Sequence, residues 1–159
     1  MIYKRMKGTI METIVQAKRV LEIFKEMSQI PRESGNEKGI SDYIVNFAKN
    51  LGLKAHQDEI LNVVIKKDAS PGYENRPSII IQGHIDMVCV KDHASNHDFS
   101  KDPIANIIEG EWMRADHTTL GADNGMGAAM MLAILEDESQ QHGPMQLLFT
   151  TNEETGMDG

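Results

Sequence analysis

Two short apolar runs, Ser78–Gln82 (SIIIQ) and Met145–Thr151 (MQLLFTT), enclose a longer apolar stretch, Gly125–Leu135, with small residues first and Met and Leu after. Runs of five to seven such residues suit buried strands, the first covered on both faces, and the stretch between them suits a packed helix. Strand, helix and strand in this order call for a sheet with helices layered on it. The flanking segments agree. Ile10, Ile14, Ala17, Leu21 and Phe24 recur every three or four residues, which predicts an amphipathic helix ending before Pro31. Ser34-Gly35-Asn36-Glu37 reads as a capping box opening a second helix, with Ile40, Tyr43, Ile44, Phe47 and Leu51 on one face and Gly52 as its stop. Strands are expected at Leu53–Gln57 and Asn62–Lys66, a loop at Asp68–Pro77, and a hairpin around Glu109-Gly110-Glu111 within the polar excursion Met87–Thr119. The fold class is therefore α/β, a central mixed sheet flanked by helices.

Three polar clusters occupy matching places. His84-Ile85-Asp86 follows the first strand, Glu153-Glu154 follows the last, and Asp123 stands in Gly121-Ala122-Asp123-Asn124-Gly125 at the helix entrance. Ligands of open α/β sheets bind beyond the carboxyl ends of strands, so all three clusters could face one crevice. On extended chain His84 and Asp86 point the same way, and the carboxylate can hold one imidazole nitrogen while the other stays free for a metal. Adjacent glutamates on a strand diverge, so one could bind a metal while its neighbour carries a proton. Each cluster has a plainer explanation alone: a solvated strand end, a helix N-cap at Asp123, a polar loop. The glycines 121, 125 and 127 weaken the N-cap explanation, because they let backbone approach a bound group closely. Together the three make a poor coincidence. One histidine with several carboxylates suits a divalent ion such as zinc, manganese or cobalt. Cys89 as a nucleophile is the weaker idea, since it sits in a packed-looking MVCV segment.

Charge and length restrict the remaining classes. With 16 Lys and Arg against 24 Asp and Glu, the 159 residues carry a net charge of −8, which argues against a nucleic-acid partner. The apolar run Ala128–Leu135 is too short to cross a bilayer, and the first residues do not read as a signal peptide. A single cysteine fits a reducing compartment, and the expectation is a cytoplasmic protein with no membrane partner.

The motifs H-I-D-M-V (84–88), T-T-L-G-A-D-N-G (118–125) and E-E-T-G-M-D-G (153–159) resemble those of the dinuclear zinc peptidases that include carnosinase and aminoacylase. H-D-F-S-K-D-P-I (97–104), G-E-W (110–112) and I-P-R-E-S-G-N-E-K (30–38) are most similar to the aminoacyl-histidine dipeptidase (peptidase D) subgroup. The resemblance implies two divalent metals, most readily zinc. It makes His84 a ligand of one, Glu154 a ligand of the other and Asp123 the bridge between them. Asp86 would orient His84, and Glu153 would be the general base toward metal-activated water. It also implies a cis peptide bond between Asp123 and Asn124. Leu61 and His117 stand where that family usually has glycine, which matters if either position needs a positive φ.

The expected activity is hydrolysis of small peptides, dipeptides of the Xaa-His type. A related deacylase or tripeptidase, or an inactive metal-binding fragment, are the alternatives. In the resembling family the chain continues with further ligands and a second, lid domain. Residues 1–159 are therefore expected to be the N-terminal part of a metallopeptidase catalytic domain, with little activity alone. The longer protein could be a homo-oligomer.

Overall fold

The computed structural model describes residues 16–159, so Ile10 and Ile14 of the predicted first helix lie outside it. Helix α1 covers residues 16–27, and its buried face is the expected one only at Phe24. Ile23, Phe24 and Met27 enter the core, whereas Ala17 and Leu21 are exposed. The 3.6-residue period is right and its phase is rotated. Two spacings of three and four fit this segment, and the one through Ile23 and Met27 carries more apolar area to the sheet.

Helix α2 (Lys38–Asn50) buries Ile40, Ser41, Ile44 and Ala48. It ends as predicted at Gly52, whose φ of 72° is the left-handed turn that glycine adopts without a Cβ penalty. The Leu53 amide donates to the Ala48 carbonyl and the Gly52 amide to that of Lys49, closing the last turn. The start differs from expectation. Glu37 is the N-cap and makes no side-chain cap, so there is no capping box. Ser34 and Glu37 are both engaged elsewhere.

Strands β1 (Lys54–Gln57), β2 (Val63–Lys67), β3 (Ile79–His84) and β6 (Met145–Thr150) form one sheet in the order β1-β2-β6-β3. The pairs β1/β2 and β2/β6 are antiparallel, and β6/β3 is parallel, so the sheet is mixed. Strands β4 (Asn106–Glu109) and β5 (Trp112–Ala115) make the expected hairpin, with Gly110 at φ 63° in its turn. Val63 and Ile65 of β2 lie opposite Phe149 and Leu147 of β6, and these four join Phe24, Ile44, Ala128 and Leu132 in a single core. Burying such side chains contributes roughly 1.5–3 kcal/mol each.

Strand β3 is not buried on both faces as its sequence suggests. Ile81 packs toward the core, but Ile80 is 67% exposed, and Gln82 is exposed too. Among the described residues β3 has a strand neighbour on one side only and is an edge strand of the sheet. Helix α3 (Ala122–Glu136) packs against β3. Its regular part begins after Asp123 and Asn124, whose backbone angles are not helical. The Lys67 ammonium closes the far end, donating to the carbonyls of Ile134, Leu135 and Asp137.

Candidate metal centre

Parallel pairing brings the polar clusters together. His84 is the last residue of β3 and sits opposite Thr150, the last of β6, so both strands release their chains at the same end of the sheet. The Ile85 amide donates to the Thr150 carbonyl at 2.8 Å and extends the ladder one step. Beyond β6 the chain turns at once, with Asn152 at φ 52°. Glu153 and Glu154 therefore lie in a turn and not on a strand, and they converge instead of diverging. His84, Glu153 and Glu154 each present a ligand atom, all within 4.8 Å of one another.

The imidazole is held from behind. His84 Nδ1 lies 3.3 Å from Asp86 Oδ1 and 3.2 Å from the Asp86 carbonyl, so a proton there has acceptors and Nε2 stays free. Nε2 faces Asp123 Oδ1 at 3.3 Å and Glu153 Oε2 at 3.9 Å. Asp86 is fully buried and well supplied with donors. Ser34 Oγ donates to Oδ2 at 2.7 Å, the Glu154 amide to Oδ2 at 3.1 Å, and the Glu153 amide to Oδ1 at 3.2 Å. Burial opposes its ionisation, but these donors and His84 more than offset that and hold the carboxyl below its usual range.

The segment before α2, where the capping box was expected, supplies much of this support. Besides Ser34, the buried Glu37 accepts the Asn152 amide at 3.0 Å and so fixes the turn that carries both glutamates. The other side of that turn is tied by Thr151, whose amide donates to Asn62 Oδ1 at 3.0 Å. Asn62 follows Leu61, which adopts φ 72°, and His117 adopts φ 58°. Both positions where glycine is usual do need the left-handed region.

Asp123 is not a side-chain N-cap. Gly121 occupies that position at φ 69°, and the Asp123 side chain is 90% exposed at the crevice mouth. The peptide bond from Asp123 to Asn124 is cis, as the resemblance implied. The glycines serve a different purpose from the one expected. A Cβ at Gly121 or Gly125 would collide with the guanidinium of Arg32, and one at Gly83 would come 2.7 Å from Asn124 Nδ2. They make room for this chain's own side chains. Cys89 is a poor nucleophile, because burial pushes its thiol up to about 11.

The donor set fits a divalent ion. Several carboxylates crowd one imidazole whose free nitrogen faces them, and such like charges stay together most easily around a cation. Sequence reasoning found His84, Asp86, Asp123, Glu153 and Glu154, and the structure brings all five to one end of the sheet. It missed Arg32 and misread Ser34 and Glu37. The only signal for these three was their place in the I-P-R-E-S-G-N-E-K motif, which named no role.

An α/β sheet with a histidine and carboxylate crevice at its strand exits is a candidate metal centre, and the comparisons say which proteins the chain is similar to. No family model matches the chain. It is 47% identical over 138 residues to a cytosol non-specific dipeptidase of Escherichia coli, a match covering 87% of this chain and 28% of that protein. Its fold matches the crystal structure of an aminoacylhistidine dipeptidase from Vibrio alginolyticus with a TM-score of 0.86 and 44% identity, covering 89% of this chain and 29% of that one. A tripeptidase from Staphylococcus aureus matches with a TM-score of 0.71 and 27% identity, over 87% of this chain and 37% of that one. The resemblance to aminoacyl-histidine dipeptidases thus holds in sequence and in fold, and the similar proteins are peptidases. The chain spans under a third of the length of the two most similar of these proteins.

Proposed function

We propose that this chain is the N-terminal part of a metallopeptidase catalytic domain that hydrolyses dipeptides, with Xaa-His as the substrate type. The observation that carries the reading is the His84 ring, with Nδ1 held against buried Asp86 and Nε2 turned to Asp123 and Glu153. His84 and Asp123 would hold one divalent ion, and Asp123 and Glu154 a second, with zinc, manganese or cobalt as the candidates. Bound there, such ions would supply Lewis acidity toward a carbonyl and make water more acidic. Glu153 is the general base of this reading: it takes the proton from the attacking water and passes it to the leaving amine. Asp86 keeps the His84 ring in the tautomer that leaves Nε2 unprotonated. Further ligands and a substrate-closing lid domain would come from outside these residues. Cytosolic placement is part of the proposal and is supported by the name of the E. coli relative.

The test uses a longer protein carrying this segment, loaded with zinc or manganese and offered an Xaa-His dipeptide, a tripeptide and an N-acyl amino acid. Preference for the dipeptide supports the reading. Preference for the tripeptide would favour a second one, for which the fold match to the S. aureus tripeptidase speaks. No hydrolysis of any of the three would overturn both.

A further inference from the structure

Arg32 is the largest fully buried side chain among the described residues, only 2% exposed. Its guanidinium meets main-chain carbonyls: Nη1 donates to Ile85 O at 3.2 Å and Asp86 O at 3.4 Å, and Nη2 donates to Gly121 O at 2.6 Å. Nε has no partner. The guanidinium makes no ion pair among the described residues; carbonyl dipoles meet the buried charge at contact and the Asp86 carboxylate acts on it from further off, which is costly unless the geometry is tight. Burial lowers its pKa to about 10, so it remains charged at neutral pH.

The position of those carbonyls is the informative point. Asp86 is two residues past His84, and Gly121 is two residues before Asp123. Arg32 is itself fixed, because the Met87 amide donates to its carbonyl at 3.1 Å and Glu33 bridges to Met87. The cavity around the fork is closed, since a Cβ on Gly125 would come 2.6 Å from Nη2. A planar fork with several fixed donors can grip two strands of backbone at once, and a lysine ammonium on a flexible stem cannot do so in the same geometry.

We propose that Arg32 is a positioning residue for the metal centre: its guanidinium joins the chain leaving His84 to the turn carrying Asp123 and so sets the spacing between these two side chains. The proposal rests on the metal reading above, but its joint can be tested without metal.

Hydrogen exchange of the metal-free 159-residue chain, read by mass spectrometry, is compared between wild type and R32K. Expected is faster exchange confined to residues 85–87 and 119–125, with β2 and β6 unchanged. Titration of a longer protein carrying this segment with Co2+, followed by its visible absorption, should show about tenfold weaker binding by R32K and an altered band, the usual cost of losing a group that orients a ligand. Unchanged exchange in both segments, or loss of protection spread equally over β2 and β6, overturns the proposal. So does wild-type Co2+ affinity with an unaltered band. A wild-type longer protein that binds no Co2+ counts against the metal reading instead, and the exchange comparison still decides the joint. If R32K does not fold, G125A takes its place, since its added methyl displaces the guanidinium from the other side. Wild-type exchange in G125A would overturn the joint equally.

Discussion

The two halves of the crevice are built in opposite ways. Asp86 is fully buried and takes donors from Ser34, two main-chain amides and His84, while Asp123 stands 90% exposed with His84 as its contact. The buried half costs desolvation and repays it only by being fully satisfied, so it is rigid before anything binds. The exposed half carries charge in water at little cost and gains fixed geometry only from what joins it. Stability and chemistry are therefore separable here, and substitutions in the two halves should have different signatures.

The largest effects are expected on turnover in a longer protein carrying this segment. Glu153→Gln should cut kcat by about 10²- to 10⁴-fold while leaving metal content near normal, as loss of a general base does. Glu154→Gln should lose metal as well, by elemental analysis. If both variants keep metal and lose equal activity, the division of labour between the glutamates is wrong. The 159-residue chain alone should show little or no hydrolysis of an Xaa-His dipeptide, because each ion would have two protein ligands where zinc sites usually hold three or four. Turnover comparable to the longer protein would show that the ligand set is already complete.

The next contrast is between Asp86 and Asp123. Asp86→Ala leaves a hydroxyl and two amides without their acceptor and should cost about 2–4 kcal/mol in denaturant unfolding. Asp123→Ala should change stability by less than about 0.5 kcal/mol, yet weaken metal binding more. A larger stability loss at Asp123 would erase the distinction.

Acid sharpens it. The Asp86 carboxyl is held below its usual value in the folded state by Ser34, the two amides and His84, which outweigh its burial. A depressed folded pKa contributes stability above the unfolded value of about 3.9, and that contribution is lost as pH falls through the folded one. The wild type should therefore lose stability more steeply than D86N below about pH 4. Parallel acid transitions would remove Asp86 from the account.

The smallest effect belongs to the support under the Glu153–Glu154 turn. Leu61 holds φ 72° with its carbonyl accepting from the buried Ser41 hydroxyl at 2.7 Å. Leu61→Gly should stabilise by up to about 1 kcal/mol, the relief of a left-handed conformation less the glycine's greater freedom when unfolded. A net loss in thermal unfolding would mean that the Leu61 side chain's packing outweighs its backbone.

Side-chain alternation and strand exits made the placing of His84 and Asp86 at the end of a strand legible in the sequence, because those rules are local. The errors were non-local. Ser34 and Glu37 have the spacing of a capping box, but a buried carboxylate at Asp86 and the Asn152 amide compete for them and win. Strand geometry makes the side chains of Glu153 and Glu154 diverge, whereas the chain turns at Asn152 and brings them together. Gly121 and Gly125 do reflect close approach, but the approaching group is Arg32, distant in sequence. Ile80 looks like a core residue by composition, and only the position of β3 in the sheet makes it exposed.

The parallel pairing of β3 with β6 also bears on the order of assembly. β1 and β2 are neighbours in the chain and can zip as a hairpin early, whereas β3 must wait for a partner that lies beyond the β4–β5 hairpin and α3. Contacts between distant segments form slowly, because a long loop must close before any bond rewards it. A nascent chain emerging as far as α3 already displays His84 and Asp123, but neither has the β6 exit to stand against. In the reading proposed above, His84 and Glu154 therefore come together only once β6 has paired with β3.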